Sequence, residues 1–156
     1  MAAPAPSILW FRRDLRLSDH PALLAACDSA PTVLPVFVLD PRLLATDTPR
    51  TRRLLASVAA LSRANQGALV VRRGDPVDVV PRLAAEVGAQ QVHISRETTP
   101  YGRRRDERVA GALTAAGVEL VATGTPYAVG PGRIVSQSGT PYKVFTPFAR
   151  SARSRR

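Results

Sequence analysis

The sequence predicts an α/β fold, a doubly wound sheet of about five parallel strands with helices on both faces. Five short apolar runs recur along the 156 residues, and a helical pattern separates each run from the next. Strands joined by crossover helices lie parallel and are covered on both faces. Apolar residues make up 45% and charged residues 22% of the chain, which is typical of globular proteins, and no run reaches the length of a membrane helix.

The apolar runs predict the strands. Each run is almost continuously apolar instead of alternating with polar residues, as expected for strands that are buried on both faces. In chain order the predicted strands are Ser7–Phe11, Val33–Leu39, Ala68–Val71, Gln91–Ile94 and Val118–Val121.

Helical periodicity between these runs predicts four helices, Pro21–Cys27, Arg52–Ala64, Val77–Val87 and Arg103–Ala116. Either Ser18 or Asp19 is expected to cap the first helix, and Asp75 the third. Gly88 and Gly117 follow two of the helices and are expected to end them. The resulting order βαβαβαβαβ is typical of a Rossmann-like sheet, whose ligands bind beyond the carboxyl ends of the strands.

The periodic pattern ends after Thr123. The Gly- and Pro-rich residues 124–139 predict a surface loop and a hairpin. Tyr142–Phe148 is rich in aromatic residues and needs a surface to pack against, whereas residues 149–156 show no apolar face. We therefore divide the chain into a flexible N-terminus (1–6), an α/β domain (7–139) and a segment at 140–156 that ends in a basic tail.

Charge and cysteine content limit the classes of partner and site. The chain carries 22 basic and 12 acidic residues, a net charge of +10, so nucleic acid is a plausible partner, although arginine-rich usage also arises from biased genome composition. Cys27 is the single cysteine, which excludes an internal disulfide and a multi-cysteine metal site, and no metal is expected. The first six residues carry no basic signal-peptide region, so a cytoplasmic location is expected.

Catalytic motifs are not found. The sequence shows no nucleophile elbow, phosphate-loop lysine or Gly-rich dinucleotide fingerprint, and its two histidines are read as a helix-start residue (His20) and a buried core residue (His93). Charged residues instead follow the first four predicted strands: Arg12, Arg13, Asp14, Asp40, Arg72, Arg73, Asp75, Arg96 and Glu97. At the ligand-binding edge of the sheet these residues could bind a planar heterocycle, or they could cap helices and pair with one another.

Five ordered motifs resemble the DNA photolyase and cryptochrome family. The first, WFRRDLRLSDH at Trp10–His20, resembles the WFRxDLRLxDN signature that opens these proteins, with histidine where asparagine is usual. The others are Phe37–Pro41, Gly74–Pro76, Pro100–Asp106 and Tyr142–Phe148, the last resembling the start of the family's interdomain segment.

The resemblance implies the amino-terminal antenna domain of a deoxyribodipyrimidine photolyase, a carbon–carbon lyase that repairs DNA. In this family the domain holds a light-harvesting chromophore and passes its excitation to FAD in a helical domain, which these 156 residues do not contain. FAD is therefore not expected in this chain, and the chain is not expected to repair DNA alone. The implied partners are an FAD-binding helical domain, in the same or a separate chain, and DNA through the complete photolyase. No membrane is expected as a partner, and the aromatic segment Tyr142–Phe148 favours weak self-association.

The resemblance also implies seven chromophore-binding residues, Arg12, Phe37, Asp40, Arg50, Glu97, Tyr101 and Gly102. Phe37 is expected to stack on the chromophore, Asp40 and Glu97 to accept hydrogen bonds from ring N–H groups, and Arg12 or Arg50 to donate to a carbonyl or a negative tail. Folate-binding members carry Asn-Glu where this chain has Tyr101-Gly102. The resemblance therefore favours hydroxydeazaflavin or FMN over methenyltetrahydrofolate.

Two other functions stay open at this point. Thr99 stands where the deazaflavin-binding branch can carry an acidic residue, and Glu97 stands where that branch can carry aspartate. One alternative is therefore a Rossmann-like domain that binds no chromophore and serves as an interaction module. A basic nucleic-acid-binding protein is the other, and it requires the arginines to form one face.

Overall fold

The computed structural model describes residues 4–44 and 46–154. Part of the predicted flexible N-terminus, residues 1–3, and the last two arginines of the basic tail therefore lie outside the described residues. The chain forms two compact units, one up to Gly124 and one from Thr125 onward, which are described separately.

The first unit contains one parallel sheet of five strands in the order β3-β2-β1-β4-β5. The strands are β1 (Ser7–Phe11), β2 (Val33–Leu39), β3 (Val70–Arg73), β4 (Gln91–Ile94) and β5 (Glu119–Ala122). The predicted α/β class with about five parallel strands is confirmed. The chain leaves β1 on one side through β2 and β3 and returns on its other side to β4, so the switch point of the sheet lies between β1 and β4.

Strands β3 and β5 begin later than the sequence predicts, because the residues predicted to start them are hydrogen-bonded to the ends of the preceding helices. The N–H of Ala68 donates to the carbonyl of Asn65 at 2.9 Å, and the N–H of Val118 donates to the carbonyl of Leu113 at 2.9 Å. Neither residue is free to join the sheet. The edge strand β3 instead continues into Arg72 and Arg73.

Four helices surround the sheet, α1 (Pro21–Ser29), α2 (Pro49–Ala64), α3 (Pro76–Val87) and α4 (Pro100–Ala115), and a short 3-10 turn covers Pro41–Leu43. Each helix begins with proline, which has no N–H to leave unpaired there. For α2 and α4 the proline follows a threonine cap, so both helices begin three residues before the predicted positions. None of the helices described is both long enough and apolar enough to span a membrane.

The helix ends confirm most of the predicted capping residues. Asp75 caps α3, and Gly88 ends it in the left-handed conformation. Gly117, with φ of +73°, follows the end of α4. The prediction of Ser18 or Asp19 as the cap of α1 is wrong. Asp19 adopts a φ of +51° in the preceding turn, and the Nδ1 atom of His20 accepts the N–H of Leu23 at 3.2 Å instead.

The core has two layers, one on each face of the sheet. Alternate residues of β1 separate the layers: Ile8 and Trp10 pack with α3 and α4, whereas Leu9 and Phe11 pack with α1 and α2. Both faces are thus filled with apolar side chains, as a parallel sheet requires. Polar groups that could contact a ligand are left at the ends of the strands.

The second unit corrects the predictions for the end of the chain. Its described residues, 125–154, contain no strand, so the predicted hairpin is wrong, and the N–H of Ser136 instead closes a turn on the carbonyl of Thr140 at 2.8 Å. A helix that the sequence did not predict, α5, covers Phe145–Arg153. Val144 is 62% and Phe145 is 77% exposed, and the expected self-association through this segment stays a prediction.

Both histidines are buried, and one ring nitrogen of each takes part in a hydrogen bond. The hydroxyl of Ser29 donates to the carbonyl of Ala26, so Nε2 of His93, 3.0 Å from that hydroxyl oxygen, carries the proton. The Nδ1 atom of His93 then has no hydrogen-bond partner among the described residues. His20 uses Nδ1 as the acceptor of the α1 cap, and its Nε2 lies 3.3 Å from Oδ2 of Asp14. Burial lowers the pKa of both histidines, although Asp14 opposes the shift at His20.

We expect the free energy of unfolding to fall as the pH is lowered from 7.5 to 5.5. The unfolded chain takes up protons near the ordinary histidine pKa of about 6.5, whereas the folded chain takes them up only at lower pH. Each unit by which folding lowers a pKa corresponds to about 1.4 kcal/mol. Thermal unfolding followed by circular dichroism at pH 7.5, 6.5 and 5.5 measures the slope. His20→Asn keeps a capping acceptor, so its melting temperature should fall less than that of the wild type. Parallel pH profiles for the two proteins would contradict the assignment to His20.

Candidate functional site

A cavity of about 320 Å³ opens at the carboxyl edge of the sheet. Its walls come from the ends of β1 and β2, the segments that follow β1, β2 and β4, and the first turns of α2, α3 and α4. This volume lies in the range of small-molecule sites, and the position beside the switch point is where ligands bind in open parallel sheets.

The structure brings all seven predicted binding residues to the wall of this cavity: Arg12, Phe37, Asp40, Arg50, Glu97, Tyr101 and Gly102. Their role in binding stays a prediction. Arg13 lines the cavity as well, whereas Asp14 and Asp75 are not among the lining residues. Asp14 accepts from the hydroxyl of Ser95 at 2.5 Å beneath the cavity, and Asp75 caps α3 and lies 3.3 Å from the guanidinium of Arg42.

Asp40 supplies a buried carboxylate whose two oxygens are both engaged. The residue is 4% exposed and caps the 3-10 turn, where Oδ1 accepts the N–H of Arg42 at 2.9 Å. The other oxygen, Oδ2, accepts from the hydroxyl of Tyr101 at the first turn of α4. Burial raises the pKa of Tyr101, and the hydrogen bond to Asp40 raises it further. The tyrosine therefore remains a neutral donor at physiological pH.

Glu97 is held by the backbone that leads into α4. Its Oε1 atom accepts the N–H groups of Thr98 at 2.8 Å and Thr99 at 3.2 Å and lies 3.4 Å from the guanidinium of Arg13. Burial raises the pKa of Glu97, but these hydrogen bonds and the charges of Arg13 and Arg12 outweigh it, so the pKa is lowered overall. Gly102 makes this position possible, because a Cβ atom there would lie 1.8 Å from Cγ of Glu97.

Arg12 ties together three elements that are distant in the sequence. Its guanidinium donates to Oδ1 of Asp106 in α4 and to the carbonyl of Ser95 after β4. The Cζ atoms of Arg12 and Arg105 each lie 5.0 Å from the centre of the Trp10 ring. Burial lowers the pKa of Arg12, whereas the carboxylate of Asp106 opposes the shift. The guanidinium of Arg12, which was expected to donate to a ligand, thus already donates to groups of the protein.

The two remaining predicted residues differ in exposure. Phe37 is 5% exposed and belongs to the core layer that includes Leu9 and Phe11, so it forms part of the cavity wall. Arg50 lies in the first turn of α2 and is exposed, and its side chain forms no ion pair or hydrogen bond in the part of the chain that the structure describes. Arg50 is therefore available to a negative group of a ligand.

The sequence prediction missed two residues that shape the site. Trp10, which is 3% exposed, and Arg105 both line the cavity. The spacing could have identified both. Trp10 lies two residues before Arg12, and Arg105 lies four residues after Tyr101, so each shares a face with a predicted residue. The arginines and the apolar walls of the cavity make it suitable for a planar group that carries carbonyls or a negative charge.

Comparisons with known proteins agree with this architecture. The family model described as DNA photolyase matches residues 7–156. A deoxyribodipyrimidine photo-lyase from a Synechococcus species is 36% identical over 150 residues, which cover 92% of this chain and 31% of the relative. A bacterial class III photolyase from Agrobacterium tumefaciens has a TM-score of 0.78 at 33% identity, covering 98% of this chain and 32% of the other.

An archaeal photolyase from Sulfolobus tokodaii is also similar. Its structure contains two FAD molecules, with the implication of a novel light-harvesting cofactor. The match has a TM-score of 0.76 at 27% identity and covers 96% of this chain and 35% of the archaeal one. The chain thus spans about a third of the length of these three proteins.

Proposed function

Because the chain belongs to the DNA photolyase family and corresponds to its amino-terminal region, we propose that its first unit is a light-harvesting domain that binds an antenna chromophore in the cavity at the carboxyl edge of the sheet. The observation that carries this proposal is the convergence of Arg12, Asp40, Glu97 and Tyr101, which are up to 89 positions apart in the sequence, on one cavity. A domain that served only as an interaction module would have no need of a cavity of this kind.

The chromophore that suits the cavity is hydroxydeazaflavin or FMN. Four arginines and two carboxylates line it, an excess of positive charge that favours a ligand with carbonyls or a phosphate. Tyr101 and Gly102 occupy the place of the Asn-Glu pair of folate-binding members, so the acidic partner of a pterin ring is missing. The similar archaeal photolyase, whose structure contains two FAD molecules with the implication of a novel light-harvesting cofactor, supports a flavin-type ligand.

Repair belongs, in this proposal, to the complete photolyase. The chain spans about a third of its relatives, and it supplies light capture. Transfer of the excitation and cleavage of the DNA lesion require an FAD-binding helical domain in the same or a separate chain.

We expect Asp40→Asn to weaken FMN binding by about 10- to 100-fold. The asparagine oxygen still accepts the N–H of Arg42, which preserves the 3-10 turn, but its NH₂ group replaces the acceptor that faces Tyr101. Loss of one charge-assisted hydrogen bond in a shielded site costs roughly 1.5–3 kcal/mol. Quenching of Trp10 during titration with FMN measures the dissociation constant, because it is the single tryptophan and lines the cavity.

The matched control is Asp47→Asn, an exposed carboxylate paired with Arg52 outside the cavity, which should bind FMN like the wild type. Hydroxydeazaflavin should show the same pattern, and methenyltetrahydrofolate should bind more weakly than either flavin. Equal titration curves for wild type and Asp40→Asn would remove Asp40 from the site. Tighter binding of the folate would contradict the proposed chromophore.

A further inference from the structure

The protein's own donors already bind both carboxylate oxygens of Asp40 and one carboxylate oxygen of Glu97. At Asp40, Oδ1 accepts a hydrogen bond from the backbone N–H of Arg42, and Oδ2 accepts one from the hydroxyl of Tyr101. At Glu97, Oε1 accepts hydrogen bonds from the backbone N–H groups of Thr98 and Thr99 and from the guanidinium of Arg13. A ligand N–H that approaches Asp40 therefore competes with an existing hydrogen bond, and which of the two bonds breaks more readily decides how the ligand binds there.

Of the two hydrogen bonds to Asp40, the bond from Tyr101 is the one that can be exchanged at the lower cost. The bond of Arg42 comes from a backbone N–H group, so breaking it would open the 3-10 turn. The bond from Tyr101 comes from the end of a side chain that is only partly buried, and rotation of that side chain leaves α4 intact. Arg105, whose Cζ atom lies 5.9 Å from the Tyr101 ring centre, keeps its own hydrogen bonds to Asp106 when the ring moves.

We propose that Tyr101 is a specificity-determining residue of the cavity, whose hydroxyl competes with a ligand N–H for Oδ2 of Asp40. This inference rests on the proposed function. Tyr101 would thereby select ligands that carry an N–H group able to replace the phenol hydroxyl as the hydrogen-bond donor to the buried carboxylate. The imide N3–H of a flavin ring is such a donor. A ligand that offers only acceptors gains nothing from Asp40 and leaves Tyr101 in place.

The test compares two probes in two proteins, the full 156-residue wild type and Tyr101→Phe. FMN carries the N3–H donor, and N3-methyl-FMN lacks it but is otherwise the same flavin. Phenylalanine keeps the ring and removes the competing hydroxyl, so FMN should bind about tenfold more tightly to the variant, the scale of one charge-assisted hydrogen bond. N3-methyl-FMN should bind both proteins equally. Trp10 quenching and calorimetry provide the dissociation constants, and thermal unfolding confirms that the variant is folded.

The control is Tyr142→Phe, a tyrosine of the second unit, which should bind both probes like the wild type. Weaker FMN binding by Tyr101→Phe would overturn the inference, because the hydroxyl would then contact the ligand directly. An equal change for both probes, or no change, would also overturn it while leaving the proposed function standing. Failure of FMN and hydroxydeazaflavin to bind any of the proteins would reject both the inference and the proposed function.

Discussion

Replacing Arg12 with alanine should lower the free energy of unfolding by about 3–5 kcal/mol, the usual cost of removing one partner of a buried ion pair. The guanidinium is 7% exposed, and it joins the end of β1 to the carbonyl of Ser95 after β4 and to Asp106 in α4. The variant leaves that carbonyl without its side-chain donor, leaves Asp106 with Arg105 alone, and removes the cation from one face of Trp10.

Urea denaturation followed by circular dichroism measures this loss. The matched control is Arg52→Ala, because Arg52 is 72% exposed and pairs with Asp47 only at the surface, so its removal should change stability little. Arg12→Lys should fall between wild type and Arg12→Ala, since lysine keeps the charge but cannot donate in two directions from one plane. Because native domains are stable by only about 5–15 kcal/mol, the denaturation curves of Arg12→Ala and its controls are measured at low temperature. Stability within about 1 kcal/mol of wild type would contradict the bridging role.

Gly102→Ala should destabilise the protein by about 2–4 kcal/mol, although alanine normally stabilises a helix relative to glycine. The added Cβ would lie 1.8 Å from Cγ and 2.6 Å from Cδ of Glu97, and 2.9 Å from the capping hydroxyl of Thr99. Glu97 must then leave its position and lose its bonds to Thr98 and Thr99. The same displacement should abolish or strongly weaken FMN binding, because the carboxylate would move within the cavity wall.

Gly111 offers a control within the same helix. A Cβ added to Gly111 meets nothing within 4 Å, so Gly111→Ala should stabilise the protein by about 0.5–1 kcal/mol through helix propensity alone. The two variants should therefore shift the urea midpoint in opposite directions. Stabilisation by both would mean that Glu97 does not occupy the space beside Gly102.

The fold could be predicted because its causes are local. Continuous apolar runs identify buried parallel strands, and prolines and capping residues such as Asp75 mark where helices begin. The predictions failed where a local signal had no tertiary support. The Gly- and Pro-rich residues 124–139 have the composition of a hairpin loop but form no strands, and the capping role expected for Asp19 passes to His20 because of the turn at Asp19.

The sequence by itself determined that charged residues following the strands lie at the edge of the sheet where the cavity opens, because the carboxyl ends of parallel strands meet at one edge whatever their side chains do. Arg12, Asp40 and Glu97 could be placed there from their positions after three strands. Only the tertiary structure decided which of these groups are already satisfied. The Arg12–Asp106 and Tyr101–Asp40 bonds join residues 94 and 61 positions apart. The choice of partner at such separations depends on how the helices pack on the sheet, and no local pattern records that packing.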